Sequence, residues 1–303
     1  MASHAPSCPL CGADSAHAFT AVDRNREISA ERFPYSRCVA CGTVFMVDVP
    51  DDLGRWYAGD YHRFEADGTP EVMRNPTLRD VEAFRVRMLL RHVPPGTLID
   101  IGAGPGGFAA AAKQEGFDVT VIEMDRRCCE YLESELGMRA ICSDEPIEQL
   151  SALPPAQAIT LWHVLEHLED PAEMLAVAAD RLQPGGVLAL GVPNPRSLQF
   201  RLLGARWAHL DAPRHLRLMP ADALAASLRP HGLRLLEFTT CDPFGRLCSL
   251  HGWTSAMRRR PALGDPPASL IRLAQAVTLA LRPIERRTDR GAAMTLLFGK
   301  DAG

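Results

Sequence analysis

Residues 98–107 read Leu-Ile-Asp-Ile-Gly-Ala-Gly-Pro-Gly-Gly, an apolar run that ends in an acid and breaks into glycines just before an Ala-rich stretch beginning near Phe108. The apolar run reads as a strand and the Ala-rich stretch as a helix, so the glycines must turn the chain between them. Glycine permits a sharp turn and lets the backbone approach a ligand closely, and the helix N-terminus beside it offers free N–H groups. A strand, a glycine turn and a helix in this order belong in a parallel sheet flanked by helices.

The rest of the chain alternates in the same way. Strands are expected at Val119–Ile122, Arg139–Cys142, Ala158–Trp162, Val187–Val192, Leu233–Thr239 and Met294–Phe298. Helices are expected over residues 81–92 and at Cys128–Leu136, Pro171–Arg181 and Pro220–Arg229, with Gln183-Pro-Gly-Gly186 as a turn ahead of its strand. Strands separated by helices of this length form βαβ units, so the fold class is doubly wound, Rossmann-like α/β.

The glycines alone admit two ligands. Gly102, Gly104 and Gly107 satisfy the dinucleotide fingerprint, with Glu123 about twenty residues on. Asp100 argues against it: a carboxylate two residues before the first glycine would repel a pyrophosphate and suits a cationic amino group. Gly106 completes the spacing D-x-G-x-G-x-G, and Ser143-Asp144 closes the third strand.

With these residues the chain from about 81 to 240 resembles the class I S-adenosylmethionine (SAM) dependent methyltransferases, in their small-molecule branch. The resemblance rests on Leu98–Gly106, Glu123, Leu165-Glu166-His167 and Leu182-Gln-Pro-Gly-Gly186, where Gln183 stands in place of the usual Lys. It implies a seven-stranded sheet whose last strand is antiparallel, with Leu233–Thr239 and Met294–Phe298 as the terminal pair. It also implies a SAM site made by Asp100, Gly102, Ala103, Gly104, Gly106, Glu123, Met124, Asp144, Trp162 and His163. In that site the glycine backbone faces the methionine part, Glu123 takes the ribose hydroxyls and Asp144 meets the adenine. Trp162 and His163 lie beside the sulfonium and the acceptor. Asp144 could instead cap the helix that follows it.

Two C-x-x-C-G knuckles, Cys8-Pro-Leu-Cys11-Gly and Cys38-Val-Ala-Cys41-Gly, precede this region. A two-residue gap lets both thiolates of a pair face one ion, and four soft thiolates suit structural Zn²⁺ with no open position. Four free thiols or a redox pair are the alternative. The remaining cysteines, 128, 129, 142, 241 and 248, lack such spacing and read as core residues. Residues 1–50 therefore read as a zinc-ribbon domain, 51–80 as a lid or linker and 81–303 as the methyltransferase domain. Trp56, Tyr57 and Tyr61 could roof the cofactor by cation–π contact or simply pack the ribbon on the core.

The residues after strand four are Leu161-Trp-His-Val-Leu-Glu-His167, not the Asn/Asp-Pro-Pro-aromatic segment of enzymes that methylate exocyclic amines of nucleic acids. His163 and His167 share a face if that segment is helical. His215 closes Asp211-Ala-Pro-Arg-His215, matching a D-x-P-x-H segment common in the branch. His215 and His163 are the candidate catalytic bases, since a near-neutral imidazole can remove an acceptor proton. His215 as a cap of the next helix and His167 as a packed core residue are the plainer readings.

The formal charge of −4 is uneven. An insertion at about 244–291 holds nine Arg against two Asp and one Glu, a local +6 that leaves −10 elsewhere. An acidic main body disfavours nucleic acid as a partner. The basic insertion, with an apolar helix around Ser269–Leu281, could touch an anionic membrane or a lipid-like acceptor through residues 258–287, pack on the core, or support a homodimer. The start of the chain lacks the pattern of a signal peptide, so a cytoplasmic location is expected. The function expected is methyl transfer from SAM to O, C or N of a small-molecule or lipid-like acceptor. A zinc-ribbon ribosomal RNA methyltransferase and a non-catalytic SAM-binding module are the rivals.

Overall fold

A computed structural model describes residues 6–57, 62, 64–258, 265–286 and 290–302. Three strands come first: β1 (Ser15–Val22), β2 (Arg32–Cys38) and β3 (Val44–Met46). Then follow β4 (Thr97–Ile101), β5 (Asp118–Glu123), β6 (Arg139–Cys142), β7 (Ala156–Trp162) and β8 (Leu182–Pro193). The last are β9 (Arg217–Leu218), β10 (Leu233–Thr239) and β11 (Ala293–Lys300).

A seven-stranded sheet runs β10-β11-β8-β7-β4-β5-β6. β4 to β8 pair in parallel, and β11 is antiparallel to both β8 and β10. Helices cover both faces, so the middle strands are apolar on both sides: Ala158, Ile159 and Leu161 of β7 and Leu188, Ala189 and Leu190 of β8 are all fully buried. The expected terminal pair is present, in the register Leu235↔Phe298. Gln183–Gly186 differs from expectation. It lies within β8 as a bulge, since Ala156 pairs with Leu182 and Ala158 already pairs with Val187. Gly185 takes φ +75° there, which lets the strand resume its ladder after the bulge.

The second sheet has the order β1-β2-β3-β9. Its fourth strand comes from the far side of the chain, directly after His215, and pairs Val44 with Leu218 and Phe45 with Arg217. Tyr35, Val44, Met46, Trp56, Trp207, Leu216 and Leu218 form one buried cluster across this junction. Trp56 is part of that core, edge-on to Phe33 at 5.8 Å and covered by Arg55 at 3.8 Å. It is therefore packing, not a cofactor lid; Tyr61 lies outside the described residues.

Two helices, Pro243–Ala256 and Ala268–Glu285, fill the insertion between β10 and β11. The second extends the expected apolar helix, whereas the first was not expected. Its two glycines make it a poor helix former, but Gly252 is demanded by packing: a Cβ there would meet Gln199 Oε1 at 1.9 Å. Asp242 caps this helix by accepting the Gly245 N–H at 2.6 Å and also accepts the Thr295 hydroxyl of β11 at 2.6 Å. Among the described residues no helix is long and apolar enough to cross a membrane.

Candidate active site

The glycine loop leaves the C-terminal end of β4, where ligands gather in sheets of this kind. Gly102, Gly104 and Gly106 have φ +66°, +54° and +83°, values that a side chain would strain. Space is as limiting as torsion. A Cβ on Gly102 would stand 2.3 Å from Val164, and one on Gly104 would stand 3.0 Å from the ring of His62. The loop is tied to the end of β5 by Glu123, whose buried carboxylate accepts the Gly104 N–H at 2.7 Å and the Asp125 N–H at 2.8 Å. A carboxylate has about four acceptor positions, so Glu123 keeps capacity for ligand hydroxyls. Met124 is 55% exposed beside it, Asp144 is exposed just after β6, and Ala103 is half-buried in the loop. The helix after Asp144 is capped at Glu145, so Asp144 is not its cap.

Asp100 is fully buried under the loop and accepts the Thr160 hydroxyl at 2.6 Å. Burial pushes its carboxyl up to about 7, against the pull of the Thr160 bond. Above it, Trp162 ends β7 with its indole N–H buried and unpaired. The Arg85 guanidinium stacks on Trp162 at 4.3 Å and lies 4.8 Å from the ring of Phe244. One arm of Arg85 reaches Glu82 at 3.1 Å, while its Nε and Nη2 are buried with no partner. Buried donors of a cation are costly to leave empty, which makes Arg85 a candidate for holding an anionic group.

The sequence reading missed Arg85 and His62. Arg85 did carry a signal. Val81, Arg85 and Leu89 fall on one stripe of the helix Pro76–Leu90, so a charge sits in the middle of its buried face. His62 gave none, because it lies in an irregular segment. Burial holds its imidazole below the ordinary value, with Glu123 and Asp125 pulling it back up.

Three histidines meet around one acid. His163 follows Trp162 in a left-handed conformation, φ +61°, a strain common at functional positions. Its Nδ1 is 3.2 Å from Glu166 Oε1, and its ring lies 4.5 Å from that of Phe244. Glu166 is completely buried, and its second oxygen has no partner. Burial alone would raise its carboxyl, but the His163 bond and the charges of His163, His215 and His167 hold it below the ordinary range. His167 lies in a 3₁₀ turn, Leu165–His167, so it does not share a helical face with His163. It meets the Tyr57 hydroxyl at 2.8 Å and stands edge-on to His215 at 4.6 Å. Burial pushes its imidazole down to about 4. The His215 Nδ1 hydrogen-bonds the His209 carbonyl at 2.9 Å, and no helix begins at His215 for it to cap. One nitrogen or oxygen each of Glu166, His167 and His215 lies within 4.8 Å of the others, close enough for their charges to act strongly on one another.

A family model described as a methyltransferase domain matches residues 73–237, from just ahead of the helix Pro76–Leu90 into β10. The chain belongs to the SAM-dependent methyltransferases. Among its relatives is the ubiquinone biosynthesis O-methyltransferase of Bordetella avium, 28% identical over 174 residues, which cover 52% of this chain and 71% of the relative. The protein of the same name from Alkalilimnicola ehrlichii is 30% identical over 179 residues, 54% of this chain and 72% of that one. In fold the methyltransferase is similar to a cyclopropane synthase of Mycobacterium tuberculosis, with TM-score 0.53 and 17% identity over 80% of this chain and all of that one. It is likewise similar to a SAM dependent methyltransferase of Archaeoglobus fulgidus, with TM-score 0.50 and 18% identity over 73% and 94% of the two chains.

The cysteine knuckles of this methyltransferase lie outside the matched segment but converge in space. Cys8 and Cys41 sulfurs are 3.7 Å apart, Cys11 and Cys38 sulfurs 3.5 Å, and all four fall within 4.8 Å of one another. Four sulfurs around one zinc, each at about 2.3 Å, would be separated by about 3.8 Å, so the cage has the size that ion needs. The Cys41 N–H points at the Cys38 sulfur at 3.4 Å, and the Thr43 hydroxyl touches Cys41 at 3.1 Å, contacts that favour thiolates. Of the other cysteines, 128, 129 and 248 are buried as expected. Cys142 is exposed at the end of an edge strand and Cys241 is half-buried, so neither is a core residue.

Proposed function

We propose that this methyltransferase moves a methyl group from SAM to an oxygen of a small-molecule acceptor. The observation that carries the reading is the pair His163–Glu166, set by a strained turn at the end of β7 beside the glycine loop. SAM supplies an electrophilic methyl on a sulfonium; the protein must align an acceptor with it and take up the acceptor proton. His163 is the favoured base. Glu166 orients its ring and stabilises the imidazolium that forms when the O–H proton leaves. His215, which meets His167 and so stands at the same acid, is the second candidate. The relatives' printed activity, O-methylation, supports oxygen over carbon or nitrogen.

In this reading the backbone of Gly102, Ala103, Gly104 and Gly106 lines the methionine part of SAM, and Asp100 steadies the loop from below. Arg85 takes the methionine carboxylate with its two unpaired nitrogens. Glu123 takes the ribose hydroxyls, and Met124 and Asp144 flank the adenine. Trp162 and His163 stand where methyl and acceptor meet. The test is a panel of phenolic, sugar and amine acceptors incubated with SAM, read by mass spectrometry of methylated product and S-adenosylhomocysteine. Methyl on phenolic or sugar oxygen supports the reading; turnover confined to amines overturns it.

The Cys8, Cys11, Cys38 and Cys41 cage is read as a structural zinc site, supported by its sulfur spacing and its closed donor set. With β1 to β3 it forms a ribbon module that steadies the acceptor side of the pocket. Peripheral contact with an anionic membrane is read from the helix Ala268–Glu285. Its exposed Leu273, Leu279 and Ile284 lie beside exposed Arg272 and Arg282, and its one acid, Glu285, is turned inward.

A further inference from the structure

A cavity of about 350 Å³ lies between the helices Pro243–Ala256 and Ala268–Glu285 and the start of the helix Pro76–Leu90. That volume is within the range of about 300–1,000 Å³ usual for small-molecule sites. Its lining includes the aliphatic side chains of half-buried Leu247 and Leu250 and of Leu279, which is exposed at its edge. The polar groups on the walls are largely spent on the protein. Thr278 gives its hydroxyl to the Ala274 carbonyl at 2.7 Å. Glu285, which is 5% exposed, faces the Trp253 indole N–H at 3.4 Å. Burial raises the Glu285 carboxyl, with its bonds to Ser249 and Trp253 opposing.

The basic groups of the lining are different. Arg246, Arg282 and Arg286 all line the cavity, all are exposed, and none pairs with a carboxylate among the described residues. Asp80 also lines the cavity and is exposed. Aliphatic side chains and three guanidinium groups with no carboxylate partner on one cavity wall match one kind of molecule.

We infer that this cavity binds a single aliphatic chain ending in a carboxylate or phosphate, its tail on Leu247, Leu250 and Leu279 and its head on Arg246, Arg282 and Arg286. The inference does not rest on the methyl-transfer reading, because the glycine loop and the histidine cluster lie outside the cavity. The two regions do share a wall. Pro243 and Gly245 line the cavity, and Phe244 between them packs on His163 and Arg85. An occupant therefore rests on the helix turn that backs the candidate active site.

The test is calorimetric titration of the full, metal-loaded chain with dodecanoate, dodecyl phosphate and dodecanol below their micellar concentrations. SAM is titrated separately as a check on the other site. One acid is expected to bind one per chain and at least about tenfold more tightly than the alcohol, and the tighter acid names the head group. Shortening the chain by two methylenes should weaken binding on the order of tenfold. Arg246→Ala and Arg282→Ala, both at exposed positions, should each weaken the acid about tenfold and leave dodecanol and SAM unchanged. Leu247→Trp should block all three ligands; a melting curve matching wild type shows that this variant is folded. Equal affinity for acid and alcohol overturns the inference, as does acid binding unmoved by both Arg variants. Capture of acid only in vesicle form, with no monomer binding, overturns it too, and assigns the arginines to a membrane surface instead.

Discussion

The buried hydroxyl of Tyr35 donates a hydrogen bond of 2.9 Å to the carbonyl oxygen of His215. Tyr35 sits in β2 of the cysteine-bearing sheet, and His215 ends the loop that packs on Glu166 and His167. The same junction carries the Met46 N–H to the Leu216 carbonyl at 2.9 Å and Asn25 to Asp211 at 2.6 Å. The N-terminal sheet thus holds the loop by backbone and side chain together.

Tyr35→Phe is expected to keep the fold and lose about 1–2 kcal/mol, since the buried His215 carbonyl is left without its donor. Turnover should fall while the Kd for SAM stays within about twofold, because the glycine loop is remote from this bond. Thermal melts, SAM titration and a rate measurement separate the effects. Unchanged turnover would show that the clamp does not matter to the chemistry.

Arg85→Met keeps the stem and removes the two unpaired buried nitrogens. It should weaken SAM about tenfold or more, as expected for a charge-assisted bond. Decarboxylated SAM, which lacks the proposed partner, should bind wild type and variant alike. A variant that weakens both ligands equally would place the Arg85 partner elsewhere.

One zinc per chain is expected by elemental analysis after purification without chelator. Cys38→Ser should lower zinc content and unfold the N-terminal sheet first. The His215 loop should loosen with it, because β9 is the outer strand of that sheet. Hydrogen exchange at Leu216–Leu218 is the readout: protection there should drop together with protection in β3. Full metal content in the variant would end the four-cysteine reading.

Stability should fall as pH drops from about 6.5 toward 4. His167 and His209 are buried and held down to about 4 and about 3, so the unfolded chain takes up their protons while the folded one does not. Asp100, pushed up to about 7, works in the opposite sense, because the folded state keeps a proton that the unfolded state releases. His62 and His251, also lowered by burial, add to the uptake and Glu285, raised by burial, opposes it, so the histidines outnumber the acids that oppose them and unfolding takes up protons on balance. Asp211, lowered to about 2 by the charges of His215 and Arg214 against the pull of burial, contributes stability that is lost only at lower pH, as it protonates. Urea melts at pH 5 and pH 6 measure the slope, and His209→Gln should flatten it.

Through the helix Ala268–Glu285 the full chain should sediment with vesicles containing phosphatidylglycerol and not with neutral ones, and salt should release it. Leu273→Glu with Leu279→Glu, both at exposed positions, should abolish sedimentation without altering the melt. Sedimentation with neutral vesicles to the same extent would argue against a charge-led contact.

Much of the frame was legible in the chain. β6 and β10 fall where the residue pattern puts them, and the glycine loop with Glu123 lies where its spacing predicts, because periodicity and glycine torsions are local properties. The helix Pro243–Ala256 was not legible, since two glycines hide a segment that packing on Gln199 makes helical. Trp56 was ambiguous for a similar reason: an aromatic beside a glycine-rich stretch reads the same whether it roofs a pocket or fills a core. Arg85 could have been found from its place on a buried stripe.

By itself, then, the sequence determined the parallel sheet, the glycine loop, the two cysteine knuckles and the methyltransferase family of the segment after them. Tertiary structure alone decided that the cysteine-bearing sheet is completed by a strand following His215, that three histidines converge on buried Glu166, and that Arg85 is left with empty donors. Each of these joins residues far apart in the chain, such as Val44 with Leu218, and no local pattern encodes such a meeting. Long-range packing sets it, because burying the two apolar faces and satisfying their backbone groups is possible only when the distant segments come together.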